Sequence, residues 1–222
     1  MIPSSSSQSA RRPVSSFTWL GLAVALFSLI VVREVILIFY PTLPITAVIV
    51  RELFDWVSVT ALVFIIRRGE RLPFRSVGIG TARWSRSLAW GIVLTVALII
   101  ADTIGEVIGI LTHYQSNQYV QQFTRLPLWL IIVTCIRGGI VEELFYRGYA
   151  IERLTLIGLN RFWATMIPVL IFSLGHWNAG WLNVVNAFLL GSVLSLFYVW
   201  RRDLVANMIG HFLINFITVF AG

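Results

Sequence analysis

From Phe17 to Phe220 the chain runs in apolar blocks of about membrane-spanning length, separated by short connections in which arginine recurs. Hydrophobic residues make up 58% of the sequence and charged residues 12%, against roughly 25% charged in soluble domains. The expected class is all-α: a polytopic helical membrane protein, a bundle of about seven transmembrane helices. Candidate spans are Phe17–Tyr40, Ile45–Ile66, Leu88–Leu111, Leu128 to about Arg147, Phe162–His176, Val184–Trp200 and Leu204–Phe220. Their sum leaves no room for a separate soluble domain, so 17–222 is expected to form a single bundle. Residues 1–16 are Ser-rich with Arg11 and Arg12 and read as a disordered cytoplasmic tail. The apolar run that follows is too long for a signal-peptide core and no small-residue cleavage site closes it.

Every basic residue is arginine, and the net charge is +7. A high pI points to nucleic acid or to an anionic membrane surface. Here the arginines stand beside the spans, so the lipid bilayer is the expected partner and nucleic acid is not. With the amino terminus inside, Arg11, Arg12, Arg67, Arg68, Arg71, Arg75, Arg83, Arg86, Arg147, Arg153, Arg161, Arg201 and Arg202 fall on the inner side, and only Arg125 falls outside. Arg33, Arg51 and Arg137 lie within spans. Arg51 is four residues from Asp55, and Arg137 stands at a depth similar to Asp102 and Glu106, so structural ion pairs are expected of them. Cys135, the one cysteine, sits in an apolar run and reads as packing.

Three polar interruptions stand out against this background. In Val141-Glu142-Glu143-Leu144-Phe145-Tyr146-Arg147-Gly148 two carboxylates are adjacent, and ionisable groups inside a membrane are costly and usually functional. Glu143 and Arg147, four apart, share a helix face and form a buried brace; Glu142 is rotated by about 100° and looks elsewhere, free to act as base or ligand. The plain alternative is that the doublet marks a solvated helix end. Gly138 and Gly139, one turn upstream, permit close helix contact. The second interruption is Phe172-Ser173-Leu174-Gly175-His176, with Phe172 expected to pack the His176 ring. The third is a stripe of Asn207, His211 and Asn215 on the last span, which must face the bundle interior. Glu142 and His176 are each about 24 Å from a turn near Gly158–Asn160, so their side chains can be level. His211 is only about 12 Å from the Arg201–Asp203 turn, and the levels agree if the hairpin tip projects roughly 10 Å further.

Glu142-Glu143-x-x-x-Arg147, Phe172-x-x-x-His176 and His211-x-x-x-Asn215, in this order and on separate spans, resemble the motifs of the CAAX prenyl endopeptidase and bacteriocin-processing (abortive-infection, CPBP) intramembrane proteases. The resemblance covers roughly residues 126–220, the expected protease core. It implies hydrolysis of a peptide bond in a membrane-associated substrate, either a CAAX-like tail or a leader peptide, at a site facing the cytoplasm. The chain looks like a prokaryotic member of the inner membrane. Residue chemistry then suggests that Glu142 and His176 orient and deprotonate a water, while His211 and Asn215 donate to the oxyanion. Glu143, Arg147 and Phe172 support them. Glu142, His176 and His211 also make a possible zinc set. A metal-free site is preferred, because no zinc spacing such as HExxH occurs and Asn215 suits an oxyanion donor.

Serine and aspartyl membrane proteases need Gly-x-Ser and Gly-Asp segments, which the chain lacks. A transport-type protein, or a non-catalytic immunity or scaffold protein, stays open at this point. Convergence of Glu142, His176 and His211 would favour the hydrolase, since a permeation path would spread them along the membrane normal.

Overall fold

A computed structural model describes residues 15–41, 44–114 and 125–221, and among these every regular element is helical. Of the tail expected over 1–16, all but Ser15 and Ser16 lies outside the described residues. Helix α1 (Ser16–Phe39) starts on Ser15, whose hydroxyl accepts from the Phe17 amide at 3.2 Å. Helix α2 (Ile45–Phe64) follows Pro44 and runs on into a π turn, Ile65–Gly69. Helix α3 spans Trp84–Leu111. The next rod, α4, begins at Leu128 after Pro127, is α-helical to Arg137, π-helical over Gly138–Ile151 and α-helical again over Glu152–Leu156. Helix α5 (Arg161–Leu174) is capped by Asn160, whose side chain accepts from the Trp163 amide at 3.0 Å. Helix α6 spans Trp181–Arg201, and α7, Leu204–Ala221, starts where Asp203 Oδ1 accepts from the Ala206 amide at 3.2 Å.

Three boundaries differ from expectation. Helix α3 begins at Trp84 rather than Leu88, α6 begins at Trp181 rather than Val184, and α5 ends at Leu174 rather than His176, while α4 runs on to Leu156, towards the turn expected near Gly158–Asn160. Hydropathy marks where a helix leaves hydrocarbon, whereas hydrogen bonding continues until a cap or turn stops it.

Polar side chains are gathered inside and apolar ones turned outward. Glu143 and Arg147 are 0% exposed, while Ile38 and Leu111 are each 74% exposed. A water-soluble bundle sorts its residues the other way, so this surface suits lipid. Helices α1, α3 and α6 are long and apolar enough to cross a membrane, and α5 and α7 are shorter apolar helices. Helix α2 carries Arg51, Glu52 and Asp55, all buried.

The π stretch of α4 is the centre of the bundle. Helices α7, α5 and α1 all pack on it, while α3 lies along α6 and α7 on the far side. Glu152 sets the vertical register: its carboxylate meets Arg202 at 2.6 Å and accepts from the Tyr198 hydroxyl at 3.0 Å. Ten residues lead from Glu152 back to Glu142 and nine lead from Arg202 on to His211, so the two runs are of similar length. The two levels agree because Glu152, rather than the hairpin tip near Gly158, stands opposite the α6–α7 turn.

Candidate active site

Glu143 is a buried acceptor for three partners. Its Oε1 accepts from Arg147 Nη1 and from His211 Nδ1, both at 2.7 Å, and its Oε2 accepts from Asn207 Nδ2 at 3.1 Å. Arg147 distributes its remaining donors over α6, to the Ser195 hydroxyl and the Gly191 carbonyl, each at 3.2 Å. Its guanidinium also lies 4.7 Å from the centre of the Phe172 ring. The expected brace is therefore present, and it extends to α6 and α7.

Glu142 faces a different set of groups from Glu143, with one ring in common. It turns to partners other than those of Glu143, namely Arg137 and the cavity, yet its Oε2 is also 3.9 Å from His211 Nε2, so one imidazole lies between both carboxylates. The ring reaches both carboxylates because its two nitrogens point in different directions, Nδ1 to Glu143 and Nε2 towards Glu142. The solvated-end alternative falls, because Glu142 has only 14% of its side chain exposed and Glu143 none.

Arg137 is placed differently from expectation. It is not beside Asp102 and Glu106 but on α2 and Glu142. Nη1 donates to Glu142 Oε1 at 2.9 Å, and Nε donates to Glu52 Oε1 at 3.1 Å with Asp55 Oδ2 at 3.6 Å. Asp102 instead accepts from Asn186 at 2.6 Å and Thr218 at 3.2 Å. Arg51 Nη2 stands 3.3 Å from Glu52 Oε1. Arg137 and Glu52 are the site residues that sequence reasoning missed. A five-residue separation between Arg137 and Glu142 puts them on different faces of an α-helix, and only the π geometry unites them.

His176 lies in the turn just after α5 ends at Leu174. Its Nδ1 is 2.8 Å from the Phe172 carbonyl, which can only accept, so Nδ1 carries the proton and Nε2 presents a lone pair. By the same logic the Glu143 carboxylate accepts a hydrogen bond from Nδ1–H of His211, leaving Nε2 towards Glu142. Phe172 packs both rings, with centroids at 4.7 Å from His176 and 6.4 Å from His211. Helix α1 secures the turn: Arg33 donates to the Gly175 carbonyl, and Glu34 accepts from Arg33 and from Asn178 Nδ2, each at 2.7 Å.

A cavity of about 120 Å³ has Glu142, His176, Arg137, Arg33 and Tyr146 in its wall, large enough for several waters. His211 and Asn215 approach Glu142 from α7 instead. A Cβ added to Gly138 would stand 2.7 Å from Asn215 Nδ2 and 4.0 Å from Glu142 Oε1, so the amide and the carboxylate border the same glycine. Gly139 meets α7 backbone, with Met208 O at 2.8 Å from its added Cβ. Both glycines thus give the close helix approach expected of them, and Cys135 is buried as expected.

The donor set has one feature that zinc would need. Both imidazoles hold Nδ1–H and present Nε2, as metal-ligating histidines do. Among the described residues, however, no three His, Cys, Asp or Glu side chains are gathered closely enough for a metal ion, and one Glu142 oxygen already faces a guanidinium. In this arrangement Glu142, His176 and His211 are not drawn together as a zinc set.

Known proteins supply one further finding. No curated protein and no solved structure matches the chain. Residues 124–217 match the Rce1-like family model, described as type II CAAX prenyl endopeptidase Rce1-like. That segment is under half of the sequence, yet it holds Glu142, Glu143, Arg147, Phe172, His176, His211 and Asn215. The part of the molecule that carries all three motifs, from the start of α4 into α7, is thus the part that is similar to the Rce1-like family of type II CAAX prenyl endopeptidases.

Proposed function

We propose that the chain is a CAAX-type intramembrane endopeptidase in which Glu142 and His176 activate water and His211 and Asn215 stabilise the oxyanion. The observation that carries this reading is convergence: Glu142 and His176 share one cavity wall, and Glu142 Oε2 stands 3.9 Å from His211 Nε2. A permeation pathway would have spread these groups along the bundle.

Water held between the free Glu142 oxygen and His176 Nε2 loses a proton to one of them as its oxygen bonds to the scissile carbonyl carbon. The carbonyl oxygen becomes an oxyanion. Asn215 Nδ2 donates to it, and so does His211 Nε2 when that nitrogen is protonated; with Nδ1–H committed to Glu143, this is the imidazolium form. Collapse breaks the C–N bond, and the proton taken from water passes to the leaving nitrogen. Glu143, Arg147 and Phe172 keep the imidazoles oriented and need not touch substrate. The proposed substrate is a prenylated carboxy-terminal peptide, and the arginine-rich helix ends are assigned to the cytoplasmic side of a prokaryotic inner membrane.

The test uses full-length protein purified in detergent and a farnesylated fluorogenic CAAX peptide. Wild type is expected to cleave it before and after exhaustive chelation, and Glu142→Gln to lose at least about 100-fold in kcat. Wild-type turnover in Glu142→Gln would remove the catalytic assignment. Loss of activity to chelator, with recovery on zinc alone, would replace the metal-free mechanism.

A further inference from the structure

Helix α2 lies outside the segment that matches the family, yet its acids reach the centre of the site. Glu52 Oε1 accepts from Thr134 Oγ1 at 3.0 Å and from Arg137 Nε at 3.1 Å, and it lies 3.3 Å from Arg51 Nη2. Arg137 turns a second nitrogen, Nη1, onto Glu142 Oε1 at 2.9 Å. Its side chain is 11% exposed, between a Glu52 that is 7% exposed and a Glu142 that is 14% exposed. The planar guanidinium therefore has its edges fixed by two carboxylates on different helices.

We propose that Arg137 is a positioning residue for Glu142, with Glu52 of α2 as its anchor, and this rests on the reading of Glu142 as the group that activates water. A guanidinium carries its donors in a rigid fork, so fixing Nε on Glu52 fixes the direction of Nη1. Nη1 engages Glu142 Oε1, which leaves Oε2 as the oxygen that faces His211. The carboxylate is thereby oriented as well as placed. A carboxylate free to rotate about its last bond would present either oxygen and would lie out of line for much of the time.

Thr134 and Asp55 make the anchor specific. Thr134 stands three residues before Arg137 on α4 and holds Glu52 from the same helix, so α2 and α4 are joined by two bonds to one oxygen. Asp55 Oδ2, at 3.6 Å from Arg137 Nε, supplies further negative charge on the α2 side. The arginine is thus drawn towards α2 as well as towards Glu142, and its position is a balance between them. Lysine keeps the charge but has one nitrogen on a flexible stem, which cannot span Glu52 and Glu142 with defined direction.

The test compares wild type, Arg137→Lys, Glu52→Gln, Glu142→Gln and the double variant Arg137→Lys/Glu142→Gln, all full-length in detergent. With the farnesylated peptide, Arg137→Lys is expected to lower kcat by about 10–100-fold while KM stays within about twofold, the signature of misplacement rather than lost binding. Glu52→Gln, at a residue that is not itself in the cavity wall and reaches the site through Arg137, is expected to lower kcat in the same sense by a smaller factor. Thermal unfolding gives a readout independent of turnover: the Tm effect of Arg137→Lys is expected to differ between wild-type and Glu142→Gln backgrounds, because glutamine keeps the hydrogen bond to Arg137 but loses its charge-assisted part. Full kcat in Arg137→Lys, or a loss shared equally by kcat and the folded fraction, would overturn the proposal. If wild type cleaves no peptide, the proposed function fails separately; non-additive Tm values would then still support the placement of Glu142 by Arg137, and additive values would reject it.

Discussion

Arg147 is wholly enclosed, and each of its three nitrogen groups has an acceptor: Glu143, Ser195 and the Gly191 carbonyl. Burying an ion pair is costly, but removing one partner costs more, because the other charge stays behind without compensation. Arg147→Ala and Glu143→Ala are therefore expected to destabilise the protein by about 3–5 kcal/mol, measurable as a large fall in Tm in detergent. Glu142→Gln should fall far less, since the glutamine oxygen still accepts from Arg137 Nη1. An equal loss in the two cases would contradict the division between a structural and a reacting carboxylate. That division was legible in part from the sequence. The four-residue spacing of Glu143 and Arg147 announces their pair on any helix, while the identity of their further partners, His211, Asn207, Ser195 and Gly191, depends on which helices become neighbours.

At the scale of one element, the π-helical run Gly138–Ile151 determines the geometry of the site. π-Helical bonding is rare and usually limited to a single turn, so fourteen residues of it must be sustained by tertiary contacts. Those contacts include the carboxylate, imidazole and guanidinium bonds of Glu142, Glu143 and Arg147. The two glycines at its start have different jobs. A methyl group on Gly138 would press on the Asn215 side-chain amide, which can move, whereas one on Gly139 would press on Met208 O and on the Phe212 backbone nitrogen at 3.1 Å, which cannot move without shifting α7. Gly139→Ala is expected to cost about 1–3 kcal/mol of stability by overpacking. Gly138→Ala should keep most of its Tm and lose about 10–100-fold in kcat, as expected when an oxyanion donor is displaced. Thermal unfolding and single-substrate kinetics on the two variants decide this, and an exchange of the two phenotypes would reject it.

Across the whole molecule, the arginine distribution predicts orientation. In a Cys135→Ala background, Ser85→Cys at the start of α3 is expected to be shielded from an impermeant thiol reagent outside intact cells, and Thr112→Cys after its end to react. The opposite pattern would invert the bundle and the side from which substrate reaches Glu142. The sequence by itself determined the membrane class, the helical elements, the expected orientation and the seven motif positions. Hydropathy and charge add up along the chain, and a spacing of four residues has local meaning. Only the tertiary structure decided that 138–151 winds as a π-helix, that Glu142 and Glu143 share His211, and that Arg137 pairs with Glu52 rather than with Asp102. Each of these depends on which helix stands beside α4 and how closely. In the bundle interior a charge takes the partner that packing brings within reach, and that choice is made between segments about 85 residues apart in the chain, as Glu52 and Arg137 are.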